Sequence, residues 1–337
     1  MELSIQKLQN LLQDREDLKQ ALQASLQKAA QPGVTTLEEF YDFLNEMLTY
    51  IPTEKEINAN EEKFFYLISE SPDDLLKKDS NFNIWIKDYA NEIGKYLDTP
   101  ASAARLDTFI KNPDYHINDY YELPGGWQTF NQFIARNVKA GKRPVADRCN
   151  DNVIVSTTDS VYLGQWLIRD AKVITKGTSY SVIDILDGSP YQDKFKEGVF
   201  THSYLNLNDY HHFHTPIGGI VREVRNIPGN TILNVIKKSD GTIEDIDGVD
   251  FQFTQTRGLI ILETVIGFVA ILAVGMGHVS SVNLTVDEGD TLAKGDDFGY
   301  FAFGGSDMVM LFEAGKVNFM IEENKHYLQG EKIAEAI

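Results

Sequence analysis

The chain has little cysteine and little positive charge, and both shortages narrow the classes of protein to which it can belong. Only one of the 337 residues, Cys149, is a cysteine, so no disulfide can form within the chain. Lysine and arginine number 31 against 50 aspartates and glutamates, which gives a formal net charge of −19 at pH 7. A surface this acidic disfavours nucleic acid and anionic membranes. We therefore expect a soluble, cytoplasmic protein without a nucleic-acid partner, for which a homo-oligomer and peripheral membrane contact stay open.

Long apolar runs are also scarce. The N-terminal segment MELSIQKLQNLLQDRED has neither the basic start nor the apolar stretch of a signal peptide. Residues 259–277, LIILETVIGFVAILAVGMG, are apolar enough to be considered as a membrane span. They contain Glu263, Gly267, Gly275 and many β-branched residues, which favours two buried strands joined by a turn. No stable membrane insertion is expected.

The first third of the chain, residues 1–122, has the pattern of a helical extension. Leucines recur at helical spacing from Leu8 to Leu26 in a glutamine-rich segment. TTLEEFYDFLNEML and FNIWIKDYANEIGKYL repeat this pattern after polar residues. The polar faces of these helices carry both signs of charge. We therefore expect their apolar stripes to face a core or a partner rather than to anchor the chain to a membrane.

Residues 123–337 have the pattern of a β domain. Short β-branched segments are separated by Gly, Asp and Asn, and they include NVIVSTTDSVYLGQWLI, GGIVREVRNI, NTILNVI and FQFTQ. The expected fold class is therefore α+β, with a helical N-terminal region followed by a mostly antiparallel, β-sandwich-like catalytic domain. The sequence contains no phosphate-binding loop, dinucleotide fingerprint or internal repeat.

Three of the seven histidines, His211, His212 and His214, lie in the segment DYHHFHTP. A strand would place His212 and His214 on one face, whereas a helical turn would pair His211 with His214. The cluster is either a polar segment with hydrogen-bonded imidazoles or a transition-metal site. His-x-His metal sites of the cupin type also need a carboxylate a few residues later, which TPIGGIV lacks. No metal is therefore expected.

Ser306 lies in an unusual setting within FAFGGSDMVMLFE, residues 301–313. It follows Gly304 and Gly305 between two apolar runs, so the segment is either a tight corner or a peptide bond that is attacked. Nucleophilic chemistry needs a serine, a base and a group that orients the base. The histidine cluster could supply the base, and Asp159 at the end of an apolar strand could orient it. Spacing alone does not show that these groups meet.

Five blocks, in order along the chain, resemble the phosphatidylserine decarboxylase family. FNQFIARNVKAGKRPVA is similar to the family's Phe-Phe-x-Arg-x-Leu-Lys-x-Gly-x-Arg-Pro segment, and VSTTDS to its Val-Ser-Pro-x-Asp-Gly. DYHHFHTPIGGIV resembles its Asp-Tyr-His-Arg-x-His-x-Pro segment. LETVIGFVAILAVGMGHVSSV and GYFAFGGSDMVMLFEAGKV match the two last blocks. The resemblance covers residues 127–317 and leaves the helical first third outside.

The resemblance implies a proenzyme that cuts itself between Gly305 and Ser306, after which Ser306 becomes a pyruvoyl group, the cofactor of the enzyme. It implies a triad of Asp159, His214 and Ser306 for the cut, with His214 as the base. Glycine at Gly304 and Gly305 allows the strained backbone that the acyl shift requires.

The resemblance also implies that His211 serves the decarboxylation step, in which the substrate amine forms a Schiff base with the ketone and loses CO2. Three departures from the family pattern bear on the site. His212 replaces the usual arginine, Thr158–Asp159–Ser160 lacks the family's glycine, and Asp307 follows the serine where threonine is common. Asp307 is expected to place a negative charge beside the new cofactor.

The substrate stays open between two amines. The acidic net charge and the long helical extension favour a soluble L-amino acid, as in the aromatic amino-acid (tryptophan-type) decarboxylase branch that this layout resembles. The alternatives are a phosphatidylserine decarboxylase that makes phosphatidylethanolamine and a non-catalytic β-sandwich binding protein. Self-cleavage separates an enzyme from a binding protein.

Overall fold

The structure is a computed structural model of the chain, and it describes residues 3–175, 178–245, 252–275, 281–302 and 306–337. The helices in these ranges are α1 Leu3–Asp14, α2 Glu16–Ala29, α3 Leu37–Leu48, α4 Ala59–Ser69, α5 Leu75–Lys78, α6 Ser80–Leu97, α7 Asp107–Ile110, α8 Phe130–Ile134 and α9 Val182–Leu186.

The strands in the same ranges are β1 Val153–Val155, β2 Ser160–Leu167, β3 Lys172–Thr175, β4 Thr178–Ser181, β5 Val199–Leu205, β6 His212–His214, β7 Gly219–Ile227, β8 Val235–Lys237 and β9 Ile243–Asp245. They continue with β10 Arg257–Thr264, β11 Gly267–Gly275, β12 Val282–Leu284, β13 Thr291–Leu292, β14 Asp297–Phe301, β15 Ser306–Phe312, β16 Val317–Phe319, β17 Lys325–Tyr327 and β18 Lys332–Ala336. The α+β class predicted from the sequence is confirmed.

Polar residues begin the two helices for which the sequence pattern is clearest. At the start of α3, the Thr36 hydroxyl accepts a hydrogen bond from the Glu39 N–H, and the Glu39 carboxylate accepts one from the Thr36 N–H. This reciprocal arrangement satisfies two of the N–H groups that a helix start leaves without partners. At the start of α6, the Asp79 carboxylate accepts from the N–H groups of Asn81 and Phe82.

The helices share one apolar core that is rich in aromatic side chains. Phe64 stacks against Tyr89 with ring centroids 6.0 Å apart, and the Tyr89 hydroxyl donates to the Leu44 carbonyl over 2.8 Å. Leu233 and Val235 of the later chain belong to the same packed cluster, as does α8. The helical region is therefore fixed against the β region by burial of apolar surface. The division of the domains at residue 122 stays a prediction.

The β region is built on one antiparallel sheet of eight strands, in the order β13-β7-β10-β11-β15-β5-β2-β17. Both faces are covered, because alternate residues of β15 enter two different apolar clusters: Met308 and Met310 on one face, Val309 and Leu311 on the other. This packing explains why the central strands are apolar at nearly every position.

The apolar segment 259–277 is a hairpin rather than a single element. Strands β10 and β11 pair from Leu259 with Leu272 to Thr264 with Gly267, and Gly267 adopts a φ of 110° at the turn. The prediction of two consecutive buried strands is confirmed for the residues up to 275, and residues 276–280 lie outside the described ranges. No helix within the described part of the chain is long and apolar enough to cross a membrane.

A smaller sheet, in the order β12-β14-β6, positions the histidine segment. Its middle strand β14 pairs Tyr300 with His212 and Asp297 with His214. Phe213, which lies between the two histidines, packs against Phe298 and Phe301. The small sheet thus anchors DYHHFHTP next to the chain that leads into residues 303–306.

Candidate active site

Ser306 is the first residue of β15 and is fully buried. In the sheet register it pairs with Leu205 on one side and with Gly275 on the other. Its Oγ has no hydrogen-bond partner among the residues that the structure describes. A buried hydroxyl in this state costs about 1–3 kcal/mol of folding free energy, and such a group requires an explanation. Gly304 and Gly305, the other predicted residues of the cleavage site, lie outside the described residues.

The chain from Leu205 to His211 contacts the described residues on either side of 303–305. Ser306 pairs with Leu205, and the Phe301 N–H donates to the His211 carbonyl over 2.9 Å. His211 and Ser306, predicted from separate motifs, are brought to the same part of the fold.

His211 is buried and has a defined tautomer. Its Nδ1 lies 3.0 Å from the Asp209 carbonyl, which can only accept, so Nδ1 carries the proton and Nε2 carries the lone pair. Burial, together with the positive charge of Arg136, lowers the pKa of His211 to about 4. The ring is therefore neutral at pH 7 and can accept a proton at Nε2.

His214 is oriented by a carbonyl and a phenol. Its Nδ1 donates to the Gly295 carbonyl over 3.0 Å, and its Nε2 lies 3.2 Å from the Tyr210 hydroxyl. Burial lowers the pKa of His214, while the negative charges of Asp297 and Asp159 oppose that shift. The neutral ring thus presents its basic nitrogen to Tyr210.

Asp159 is buried and is held by an arginine rather than by a histidine. Arg143 Nε donates to both carboxylate oxygens over 2.8 and 2.9 Å, and Nη2 donates over 2.6 Å. The Gln329 N–H donates a further hydrogen bond to Asp159 over 2.8 Å. The two-pronged ion pair compensates for removal of the carboxylate from water.

Asp159 and His214 lie on neighbouring segments without a direct hydrogen bond. The His214 N–H donates to the Thr157 carbonyl over 2.7 Å, which places β6 beside the loop that carries Asp159. The polar partners of the two side chains are those named above. The triad of Asp159, His214 and Ser306 stays a prediction, in which Asp159 acts on His214 through its charge.

A second carboxylate–histidine pair was not predicted from the sequence. His326 Nε2 lies 2.7 Å from Asp209 Oδ1, and this hydrogen bond raises the pKa of His326. Burial would raise the pKa of Asp209, but the bond from His326 keeps it below its ordinary value. Asp209 also presents the carbonyl that orients His211. Asp209, Tyr210 and Arg143 lie in blocks that carried the family resemblance, whereas nothing in the sequence indicated His326.

His212, which stands where the family usually has arginine, is fixed on both sides. Its Nδ1 lies 2.6 Å from Asp297 Oδ2, and its Nε2 lies 3.1 Å from the Ala135 carbonyl. Its ring stacks on Tyr210 and Tyr300, with centroid distances of 5.1 and 5.2 Å. The histidine therefore joins β6, β14 and the chain after α8.

Asp307 points away from Ser306, because successive residues of a strand face opposite sides of the sheet. Its carboxylate lies 3.1 Å from His202 Nε2, outside hydrogen-bonding alignment, and both side chains are buried. The sequence pattern placed this charge next to the serine along the chain, but the sheet separates the two side chains.

A cavity of about 850 Å³ lies between the helical region and the β region. His212, Tyr300 and Ala302 line the part contributed by the β region, and Ala302 is the last described residue before 303–305. The helical side is lined by one face of α6 and by Trp127. The described residues contain no group of three His, Cys, Asp or Glu side chains that could hold a metal ion.

The family model described as phosphatidylserine decarboxylase matches residues 130–335, and the chain belongs to this family. It is 32% identical over 237 residues to phosphatidylserine decarboxylase proenzyme 3 of Schizosaccharomyces pombe, covering 67% of this chain and 23% of that protein. It is 27% identical over 227 residues to phosphatidylserine decarboxylase proenzyme of Fusobacterium nucleatum, covering 66% of this chain and 73% of that protein.

A relative that is named for a different activity also matches. L-tryptophan decarboxylase of Psilocybe cubensis is 26% identical over 202 residues, covering 55% of this chain and 46% of that protein. The chain spans about a quarter of the length of the Schizosaccharomyces pombe protein and 37% of phosphatidylserine decarboxylase proenzyme 2 of Oryza sativa. The family match begins at α8, so α1 to α7 lie outside it.

Proposed function

We propose that this chain is a pyruvoyl-dependent decarboxylase, made as a proenzyme that cuts itself between Gly305 and Ser306. The observation that carries the proposal is the buried Ser306 hydroxyl at the start of β15, which has no hydrogen-bond partner among the described residues. A serine hydroxyl without a hydrogen-bond partner among the described residues suits a nucleophile. The buried position of Ser306 also suits a pyruvoyl group made from this residue. A pyruvoyl group there would supply the electron sink for loss of CO2.

His214 is proposed as the base for self-cleavage. Its Nε2, which lies 3.2 Å from the Tyr210 hydroxyl, would exchange that contact for the Ser306 hydroxyl and accept its proton, while Nδ1 stays bound to the Gly295 carbonyl. The Ser306 oxygen attacks the carbonyl carbon of Gly305, the peptide C–N bond breaks to leave an ester, and the proton passes from His214 to the leaving nitrogen. Loss of the Cα proton of residue 306 then eliminates the Gly305 carboxylate, which separates the two chains, and hydrolysis of the resulting dehydroalanine releases ammonia and leaves the pyruvoyl group. Burial lowers the pKa of His214, and the negative charge of Asp159 opposes that shift, so Asp159 would stabilise the charged ring in between.

His211 is proposed to act in the decarboxylation step. Its Nδ1 proton is held by the Asp209 carbonyl, so exchange with the substrate takes place at Nε2. Because its pKa is lowered to about 4, the neutral ring has to take up a proton at Nε2 before it can deliver one to the substrate carbon.

For the substrate we propose phosphatidylserine, in place of the soluble L-amino acid that composition favoured. Most of the relatives reported above are named as phosphatidylserine decarboxylases. The cavity that Ala302 lines is also lined by Tyr121 and Leu123, which are 53% and 47% exposed. Exposed apolar side chains beside polar and charged ones suit an amphiphile. The net charge of −19 is an average over the molecule and does not describe this cavity.

An aromatic L-amino acid is the second candidate. The Psilocybe cubensis relative is named L-tryptophan decarboxylase, and Trp127 and Tyr300 of this chain both line the cavity. Aromatic side chains would stack well on such walls. The two candidates differ in whether the substrate carries a phosphodiester.

The intact mass under denaturing conditions tests the proposed self-cleavage. We expect two chains, residues 1–305 and 306–337, from the wild type and one uncut chain of 38.0 kDa from Ser306→Ala. Ser203→Ala on the neighbouring strand is the matched control and should still be cut. A wild-type protein that stays whole would contradict the proposal, as would a Ser306→Ala protein that splits at this bond.

Release of CO2 then tests the substrate. We expect activity on dihexanoyl phosphatidylserine, which is monomeric in water, and on phosphatidylserine vesicles, with little on L-tryptophan or L-serine. Activity confined to free amino acids would overturn the choice of phosphatidylserine and leave self-cleavage untouched.

A further inference from the structure

One face of α6 forms a wall of the cavity. Lys87, Asn91, Gly94, Lys95 and Asp98 line it, at spacings of four, three, one and three residues. These spacings follow the 3.6-residue period, so the side chains form one stripe along the helix. A rise of about 1.5 Å per residue separates the two lysines by roughly 12 Å along the axis.

The lysines of this stripe face away from the carboxylates of their own helix. Asp88 pairs with Lys7 of α1 over 2.5 Å, and Glu92 accepts from the Ser4 N–H over 3.0 Å. Lys87 is half-buried and Lys95 is exposed, and neither has an ion pair within the described ranges of the chain. A partly dehydrated cation without an anionic partner, such as Lys87, favours a site for an anion.

Arg136 adds a third cation to the same cavity. Its guanidinium is fully buried and donates to the carbonyls of Phe133, Asn208 and Asp209, while its Nε has no partner among the described residues. It lies 4.4 Å from the ring centroid of Tyr120.

The charge of the cavity is therefore opposite to that of the molecule. Among the described residues that line it, Lys87, Lys95 and Arg136 stand against a single carboxylate, Asp98, whose Oδ1 accepts from Asn131 over 2.8 Å. The whole chain carries −19. A low-dielectric cleft lined by one sign of charge concentrates ligands of the other sign.

We propose that α6, from the helical region outside the family match, supplies the binding site for the substrate phosphodiester through Lys87 and Lys95. The inference rests on the proposed function. Under the proposed function, the α-carboxylate that leaves as CO2 lies near residue 306, and Ala302, four residues earlier in the chain, lines the β side of the cavity. The phosphodiester, which is the second anion of a serine phospholipid headgroup, can then contact the lysines of α6. A free amino acid has no such second anion.

Replacement of both lysines tests the proposal. In the uncut Ser306→Ala protein, Lys87→Gln with Lys95→Gln should weaken calorimetric binding of glycerophosphoserine at least about tenfold, as expected for loss of charge-assisted hydrogen bonds. The matched control is Lys19→Gln with Lys28→Gln on α2, which removes the same charge from exposed positions outside the cavity. Arginine at positions 87 and 95 should restore binding.

The same lysine variants in the cleavable chain complete the test. They should still cut themselves, and their KM for dihexanoyl phosphatidylserine should rise about tenfold with little change in kcat. Unchanged binding and KM in a protein that decarboxylates phosphatidylserine would overturn the role of α6 while the proposed function stands. A loss seen on vesicles but not on the monomeric lipid would also overturn it, because the lysines would then contact the membrane surface.

Discussion

At the scale of single residues, Asp159 keeps its charge in a buried position because Arg143 neutralises it. The two side chains are 2% and 6% exposed. Removal of one partner from a buried ion pair leaves an uncompensated charge, which typically costs about 3–5 kcal/mol. Asp159 would then lose the orientation that the proposed triad needs.

We predict that Arg143→Met lowers the free energy of unfolding by about 3–5 kcal/mol and slows self-cleavage, since it leaves Asp159 without its counter-ion. Urea denaturation and intact mass measure the two effects. Arg148→Met is the control, because its ion pair with Asp296 is exposed and should contribute less than about 1 kcal/mol. Equal losses of unfolding free energy in the two variants would show that the buried ion pair of Asp159 contributes no more to stability than the exposed one.

The pair of Asp209 and His326 predicts a pH-dependent contribution to stability. The pKa of His326 is raised in the fold, so its contribution is complete below the unfolded value of 6.5 and is lost as pH rises through the folded value. The pKa of Asp209 is lowered in the fold, so its contribution is lost as pH falls through the folded pKa of Asp209. The pair is therefore most stabilising at mildly acidic pH, where Asp209 is ionised and His326 is protonated.

We expect His326→Gln to destabilise the protein more at about pH 6 than at about pH 9, because the wild-type histidine is charged only at the lower value. Unfolding free energies from urea titrations at both values measure the difference. In an Asp209→Asn background the difference should vanish. A pH-independent loss that persists in that background would exclude the ion pair as its cause.

The residues that motifs could predict are those whose chemistry is specific. Ser306 after two glycines and the histidines of DYHHFHTP were singled out because five ordered blocks resemble the family, and their catalytic roles stay predictions. Their partners could not be predicted, since Arg143 and His326 meet Asp159 and Asp209 only after the strands have paired. The side of β15 on which Asp307 lies follows from strand geometry, once β15 is known to begin at Ser306.

At the scale of elements, apolar periodicity predicted the long helices and the β10–β11 hairpin. The apolar pattern gave a wrong prediction where a side chain, rather than a neighbouring strand, makes the hydrogen bonds to the backbone. FQFTQ was expected as a strand, but Gln252–Thr254 is a 3-10 turn. Phe253 packs edge-on against Tyr180, and the Gln255 side chain bonds both backbone groups of Ile232. An amide side chain that mimics a strand partner leaves no periodic signal.

Gly299 is the element-scale position on which the histidine segment depends. A Cβ here would lie 2.3 Å from the Asn283 carbonyl and 2.3 Å from the Phe213 ring, on the two strands that flank β14. Backbone cannot yield as a flexible side chain can, so β14 would have to move away from β6.

We predict that Gly299→Ala destabilises the protein by about 1–3 kcal/mol and slows self-cleavage, because it displaces the strand that holds His212 and His214. Thermal unfolding and intact mass measure both effects. Gly94→Ala on α6 is the control: its Cβ would meet nothing within 4 Å, and it should leave cleavage unchanged. Normal cleavage in Gly299→Ala would show that β14 can shift without disturbing the site.

At the scale of the whole molecule, two electrostatic effects of opposite sign would act on the proposed phosphatidylserine substrate. The chain as a whole carries −19 and would be repelled by an anionic membrane, whereas the cavity is lined by Lys87, Lys95 and Arg136 and would attract a single headgroup. The first effect acts over long distances and is strongly screened by salt, with a Debye length of about 10 Å at 0.1 M. The second acts at contact distance, where salt screens it less.

Salt should therefore change activity in opposite directions on two forms of the same lipid. On vesicles rich in phosphatidylserine, moderate salt should raise kcat/KM, because screening reduces repulsion between the protein and the surface. On monomeric dihexanoyl phosphatidylserine, the same salt should lower kcat/KM by weakening attraction to the cavity. Vesicles of phosphatidylcholine with a small fraction of phosphatidylserine are the control, since their surface charge is low and their response should resemble that of the monomer. If salt lowered activity equally on all three, the net charge of the molecule would have no part in lipid access, and the basic cavity alone would govern the encounter.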